Sequence, residues 1–214
     1  MPPASVQDLR LLLRTKFPQA HAARLDEVRG GDTPVAHLTF SDPTTFPAGA
    51  LSEIVPDGPS PVLGILLSEI LGSPEKASEF PEIILIDADN FDPASHAPET
   101  CSRLLWVRCR DALTLLKAAD LLLRDGNLPF ILLDLSGFAM RELRGLPASS
   151  WWRLKQLAGN TAARVLILSS FPLIPCADLR LSLSTGLSLD AFDLPRAELT
   201  GEIRSHTRRL RHAT

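Results

Sequence analysis

Three short runs of consecutive apolar residues, each leading into an Asp or Ser, constrain this chain most: I-I-L-I-D (83–87), F-I-L-L-D-L (130–135) and R-V-L-I-L-S (164–169). A strand with one wetted face alternates apolar and polar side chains, whereas an unbroken apolar run fits a strand buried on both faces. A parallel sheet with helices on either side provides that environment. The segments between the runs agree. A-L-S-E-I-V (50–55) and L-L-W-V (104–107) read as further strands, and helices are expected at about 61–71, 111–124 and 149–158. The alternation in L-R-L-S-L-S and L-S-L-D-A-F-D-L, within 178–204, predicts a closing antiparallel pair. No internal repeat is visible.

The flanks differ from this core. S-V-Q-D-L-R-L-L-L-R-T-K (5–16) places Val6, Leu9, Leu12 and Leu13 at helical spacing, with Ser5 as N-cap and Pro18 beyond its end. Residues 19–49 are rich in Gly, Pro, Asp and Thr, with one strand-like run at 35–40. The expected organisation is an N-terminal helix and loosely packed appendage (1–49), a core domain (50–203) and a basic C-terminal tail (204–214). At 214 residues this is one domain's worth of chain. The longest apolar run, 128–133, is too short to span a bilayer, and the first residues lack the pattern of a secretory signal, so a cytoplasmic location is expected. Cys101, Cys109 and Cys176 form no C-x-x-C pair and have no His at metal-ligand spacing, so they read as packing residues. No cofactor and no metal is expected.

E-I-V-P-D-G-P-S-P-V-L-G-I (53–65) occupies the place of a phosphate-binding loop, after a strand and before a helix. Such a loop needs glycines that free backbone N–H groups, a lysine for the β- and γ-phosphates and a hydroxyl for Mg²⁺. Alignment on the strand puts Pro56 and Pro61 at the glycines, Val62 at the lysine and Leu63 at the hydroxyl. Proline has no N–H to donate, so the cradle is degenerate.

Around this loop the chain resembles the RecA-type recombinase core over roughly residues 46–185. F-P-A-G-A-L-S-E-I (46–54) is similar to the approach to that family's first core strand, and L-I-D-A-D-N-F-D-P (85–93) to the strand and turn carrying its acidic catalytic residue. Residues 112–134 are similar to the helix and Walker B strand, and 155–170 to the helix and strand leading to the nucleotide-sensing position. The resemblance implies a RecA-like α/β core, a mostly parallel sheet with helices on both faces and a degenerate P-loop. It makes Asp89 and Asp134 vestigial acids and puts Ser169-Ser170 where the family has Asn-Gln. The region 136–150 is shorter than the family's first DNA-binding loop region, and no glycine-rich second loop follows Ser170. That pattern resembles the ImuA-type and SulA-type relatives, the ImuA type more closely through Pro47-Ala48-Gly49 and L-D-L-S-G (133–137). It implies a non-catalytic adaptor of the bacterial DNA-damage (SOS) response that binds a translesion polymerase or polymerase-like protein. The alternatives are a SulA-type inhibitor of the division GTPase and a weak ATP-dependent DNA-binding protein.

Asp87, Asp89 and Asp92 end a predicted parallel strand, so they either ligate a metal or act as bases, or they cap the strand end and the next turn. His37 and His96 accompany no nucleophile motif. Trp151 and Trp152 are adjacent on a helix and point about 100° apart, so at least one is expected at the surface. With Phe138, Met140 and Arg141 they form the candidate partner interface. The net charge of −3 argues against a broadly nucleic-acid-coating surface, but Arg204, Arg208, Arg209 and Arg211 make a local basic patch and are the nucleic-acid candidates. Its competing reading is a solvated terminus.

Overall fold

A computed structural model describes residues 15, 37–38, 44–58, 62–72, 83–186, 189–194, 196–199 and 203–210. The expected helix at 5–16 lies outside these residues except for Thr15, as do Pro61 and Arg211. The chain is an α/β protein. Its strands are β1 (His37–Leu38), β2 (Thr44–Thr45), β3 (Ala50–Pro56), β4 (Ile83–Asp87), β5 (Leu104–Arg108), β6 (Phe130–Asp134), β7 (Arg164–Leu168), β8 (Leu179–Thr185) and β9 (Ile203–Arg209). Its helices are α1 (Val62–Gly72), α2 (Pro98–Ser102), α3 (Ala112–Asp125), α4 (Met140–Arg144), α5 (Ala148–Thr161) and α6 (Arg196–Leu199).

Strands β3 to β9 form a seven-stranded sheet in the order β5-β4-β6-β7-β3-β8-β9, parallel except for the β8–β9 pair. β1 and β2 form a separate antiparallel pair. The unbroken apolar runs are the inner strands, and alternate residues serve opposite faces. Ile84, Ile86, Ile131, Leu133, Val165 and Ile167 enter one core with α3 and α5. Ile83, Leu85, Phe130, Leu132, Leu166 and Leu168 enter the other with α1. β4, β6 and β7 thus bury both faces, as their patterns demand.

Helix α3 starts where Asp111 accepts a hydrogen bond from the Thr114 N–H at 2.7 Å. It stops at Gly126, whose φ of 75° is the left-handed cap that an L side chain resists. Two expectations are corrected at the far edge. Within L-S-L-D-A-F-D-L, Leu189–Asp193 is a 3₁₀ turn, and the antiparallel partner of β8 is β9. The basic segment therefore does not begin as an appended tail, because Arg204, Arg208 and Arg209 belong to a strand of the sheet. The appendage boundary also shifts, since Phe46 is buried in the α1-side core and its carbonyl accepts from Arg164 Nε at 3.1 Å.

Among the described residues, no helix is long and apolar enough to cross a membrane.

Candidate functional site

In open α/β sheets ligands bind beyond the carboxyl ends of the strands, where successive connections leave in opposite directions. Here that point lies between β4, which continues outward to β5, and β6, which continues inward to β7. The turns 88–91 and 135–138 meet above it. Asp134 is 4% exposed at the end of β6, and its carboxylate accepts from Asn90 Nδ2 at 2.8 Å, Ser136 N at 2.9 Å and Ser136 Oγ at 2.6 Å. Asp87, fully buried at the end of β4, accepts from Asp89 N at 3.0 Å, Phe91 N at 2.9 Å and Trp106 Nε1 at 2.8 Å. Both carboxylates are engaged by the chain's own donors. That arrangement fixes the two turns, and it leaves little of the roughly four-site acceptor capacity of a carboxylate for a ligand.

The crevice is also filled sterically. Gly137 lies so close to the opposite turn that a Cβ there would meet both Ala88 Cβ and Asn90 Oδ1 at 2.8 Å. Asp89 turns away from the crevice with a φ of 71°, and its exposed carboxylate sits 3.5 Å from Arg108, which stacks over Trp106. Asp92 caps the 3₁₀ turn Pro93–Ser95, accepting from Ala94 N at 3.0 Å. His96 stacks on Phe91. Ser136 and Asp134 form a hydroxyl–carboxylate pair without a histidine in the described contacts, so no proton relay is built. Among the described residues, no group of three or more His, Cys, Asp and Glu is placed to hold a metal.

Burial holds the Asp134 carboxyl above its usual range, against the opposing hydrogen bonds from Ser136 and Asn90. A raised folded-state value means the native state takes up this proton more readily than the unfolded chain does. Ionised Asp134 therefore costs stability near neutrality, and the cost fades as pH falls through the folded-state value toward about 3.9. The stability difference between wild type and Asp134→Asn is expected to move in favour of wild type as pH is lowered from neutrality toward the ordinary carboxylate range in urea titrations. A difference that stays flat over that range assigns the raised titration elsewhere.

At the phosphate-loop position, Val62 is fully buried and Leu63 is 8% exposed, both within the α1-side core. Pro56 closes β3 opposite Leu183 of β8. A second polar cluster had no counterpart among the expected site residues. Glu53, in mid-β3 and fully buried, accepts from Leu173 N at 2.6 Å, Ile174 N at 3.0 Å, Ser169 Oγ at 3.2 Å and Arg180 Nε at 2.7 Å. Arg180 also donates to the Ile174 carbonyl at 3.2 Å. The cluster ties the segment after β7 to β3 and β8. Its sequence signal is an acid inside a mostly apolar strand. Ser169 is thereby a structural donor, and Ser170 is exposed.

The partner-interface candidates divide. Trp151 is 1% exposed and Phe138 is 9% exposed, both packed in the α3/α5-side core, so neither is available to a partner. Trp152 and Met140 are exposed at 47% and 48%, and Arg141 is exposed. Trp152 shares a shallow groove with Gly49, Lys155, Gln156, Gly159 and Asn160, and the Lys155 ammonium stands 5.9 Å from its ring centre. Arg141 lines a second groove with Leu113, Ala139, Leu146 and Pro147. The thiols of Cys109 and Cys176 are both pushed up to about 11, chiefly by burial, which suits packing residues rather than nucleophiles.

Fold and site together define a helix-flanked, mostly parallel sheet whose strand-end crevice is occupied by its own side chains. Comparison with protein-family models and with curated proteins finds no match to this chain.

Proposed function

We propose that this chain is a non-catalytic, RecA-like adaptor of the ImuA type, acting in the cytoplasm in the bacterial DNA-damage response by binding a translesion polymerase component. The observation that carries this reading is the burial of Val62. The residue aligned with the phosphate-loop lysine is fully buried among Ile54, Leu66 and Leu181, so its side chain serves the core and not a triphosphate. The strand-end crevice supports the same reading, since of the two vestigial acids Asp134 is taken up by Asn90 and Ser136, and Asp89 faces Arg108 at the surface. The segments that resemble the recombinase core fall in order on β3, β4, α3–β6 and α5–β7 of one sheet. Function would then rest on surfaces, with Trp152 and Met140 as exposed anchors of the kind that dominate protein interfaces.

The test has two arms. Titration with a fluorescent ATP analogue and Mg²⁺ is expected to show no saturable binding at about millimolar nucleotide, against a working P-loop ATPase as control. Micromolar, Mg²⁺-dependent binding would reject the pseudo-ATPase reading. In the second arm, a translesion polymerase component from the same source is expected to bind. Trp152→Ala is expected to weaken that binding by about tenfold or more. The absence of affinity for every such component would leave the adaptor reading without support.

A further inference from the structure

The register of the closing hairpin sorts its basic residues by face. Ser184 pairs with Arg204, Ser182 with His206 and Arg180 with Arg208. Successive side chains of a strand point to opposite faces, so Arg204, His206 and Arg208 form one row beside Ser184, Ser182 and Arg180. Ser205, Thr207 and Arg209 lie on the other face, opposite Leu183, Leu181 and Leu179. Arg204, His206 and Arg208 are all exposed, and none is ion-paired to an acid among the described residues. Arg180 is already engaged with Glu53. In I-R-S-H-T-R-R-L (203–210) there is no acidic residue, although the whole chain carries a net charge of −3.

Alternate residues on a strand stand about 7 Å apart, so the row is a straight, flat comb in which two guanidinium groups flank an imidazole, with hydroxyls beside it. An extended polyanion whose charges repeat one by one can lie along such a comb. The six side chains of this face include no Trp, Tyr, Phe or aliphatic anchor of the kind that concentrates energy in protein interfaces. With no Trp, Tyr or Phe platform, the His206 ring is the one surface on this face for a base to meet, and contact is chiefly to backbone charge. We propose that the Arg204–His206–Arg208 face of the β8–β9 hairpin binds the phosphate backbone of single-stranded nucleic acid without sequence preference. This surface stands independently of the adaptor reading.

Charged edge strands also guard sheets against pairing with other chains, and glutamates do so as well as arginines. The test exploits that difference. Fluorescence anisotropy of the full chain with a labelled oligothymidylate of about twenty nucleotides is expected to show saturable binding at low salt. With two phosphates neutralised by Arg204 and Arg208, a fourfold rise in salt from about 50 mM lowers affinity roughly sevenfold. Arg204→Glu/Arg208→Glu, with an unchanged urea midpoint, is expected to abolish binding, Arg204→Lys/Arg208→Lys to retain most of it, and Arg209→Ala to change it by less than about threefold. The proposal is overturned by no binding at low salt, by equal losses in Arg209→Ala and the double glutamate variant, by tighter binding to a duplex of the same length, or by binding of polyglutamate in place of the oligonucleotide.

Discussion

Glu53→Gln is expected to lower the unfolding free energy by about 3 kcal/mol, the scale of breaking one partner out of a buried ion pair. The amide keeps an acceptor for the Leu173 and Ile174 N–H groups but turns a donor toward Arg180 Nε, leaving a guanidinium only 22% exposed without its counter-charge. For a chain of this size the thermal midpoint should drop by roughly 6–12 °C. Arg180→Ala should cost a comparable amount for the converse reason, a fully buried carboxylate robbed of its cation. The double replacement Glu53→Leu/Arg180→Leu should lie closer to wild type than either single change, because no charge is left stranded. Urea titrations of the four proteins decide the matter, and independent, additive losses would show that the pair does not act as a unit.

Gly137→Ala is expected to cost about 2–4 kcal/mol, although it adds one methyl group to an exposed turn. The added Cβ would sit 2.8 Å from Ala88 Cβ, which is fixed to backbone and cannot swing aside, and 2.8 Å from Asn90 Oδ1. Separating the two turns strains the Asn90–Asp134 hydrogen bond and leaves a buried carboxylate short of a donor. The denaturation midpoint should fall while the urea dependence stays constant. An unperturbed midpoint would mean the crevice is loose enough to admit a ligand, contrary to the sealed geometry.

The sheet was legible because its inner strands are buried on both faces, which leaves them no freedom to alternate. I-I-L-I-D coincides with β4, and the runs at 130–135 and 164–169 overrun β6 and β7 by one residue each. The outer edge was not legible. β9 has a single neighbour and is mostly exposed, so polar residues satisfy it and no apolar rhythm marks it. The alternation in 187–194 imitated a strand where the chain makes a 3₁₀ turn, and helices as short as α2 and α4 carry too few turns to show a period. At the site, the acids at the ends of β4 and β6 were found from their place at strand ends. Their partners were not, because Asn90 and Ser136 act through the meeting of two turns. Glu53 and Arg180, 127 positions apart, are joined only once β8 lies beside β3.

The interior position of β3 also sets the order of events during synthesis. This strand is made first of the seven, yet its neighbours β7 and β8 are among the last. At roughly 5–20 residues per second, the Leu51 and Ile54 side chains wait about ten seconds on the ribosome for the strands that will cover them. Helix α1 offers Ile54 a sequence-local partner meanwhile, but Leu51 faces the other core, so folding should be slow and dominated by long loop closures. The nascent chain therefore keeps the β7- and β8-facing edges of β3 unpaired until residue 185 has emerged, the interval in which unpaired strand edges favour aggregation.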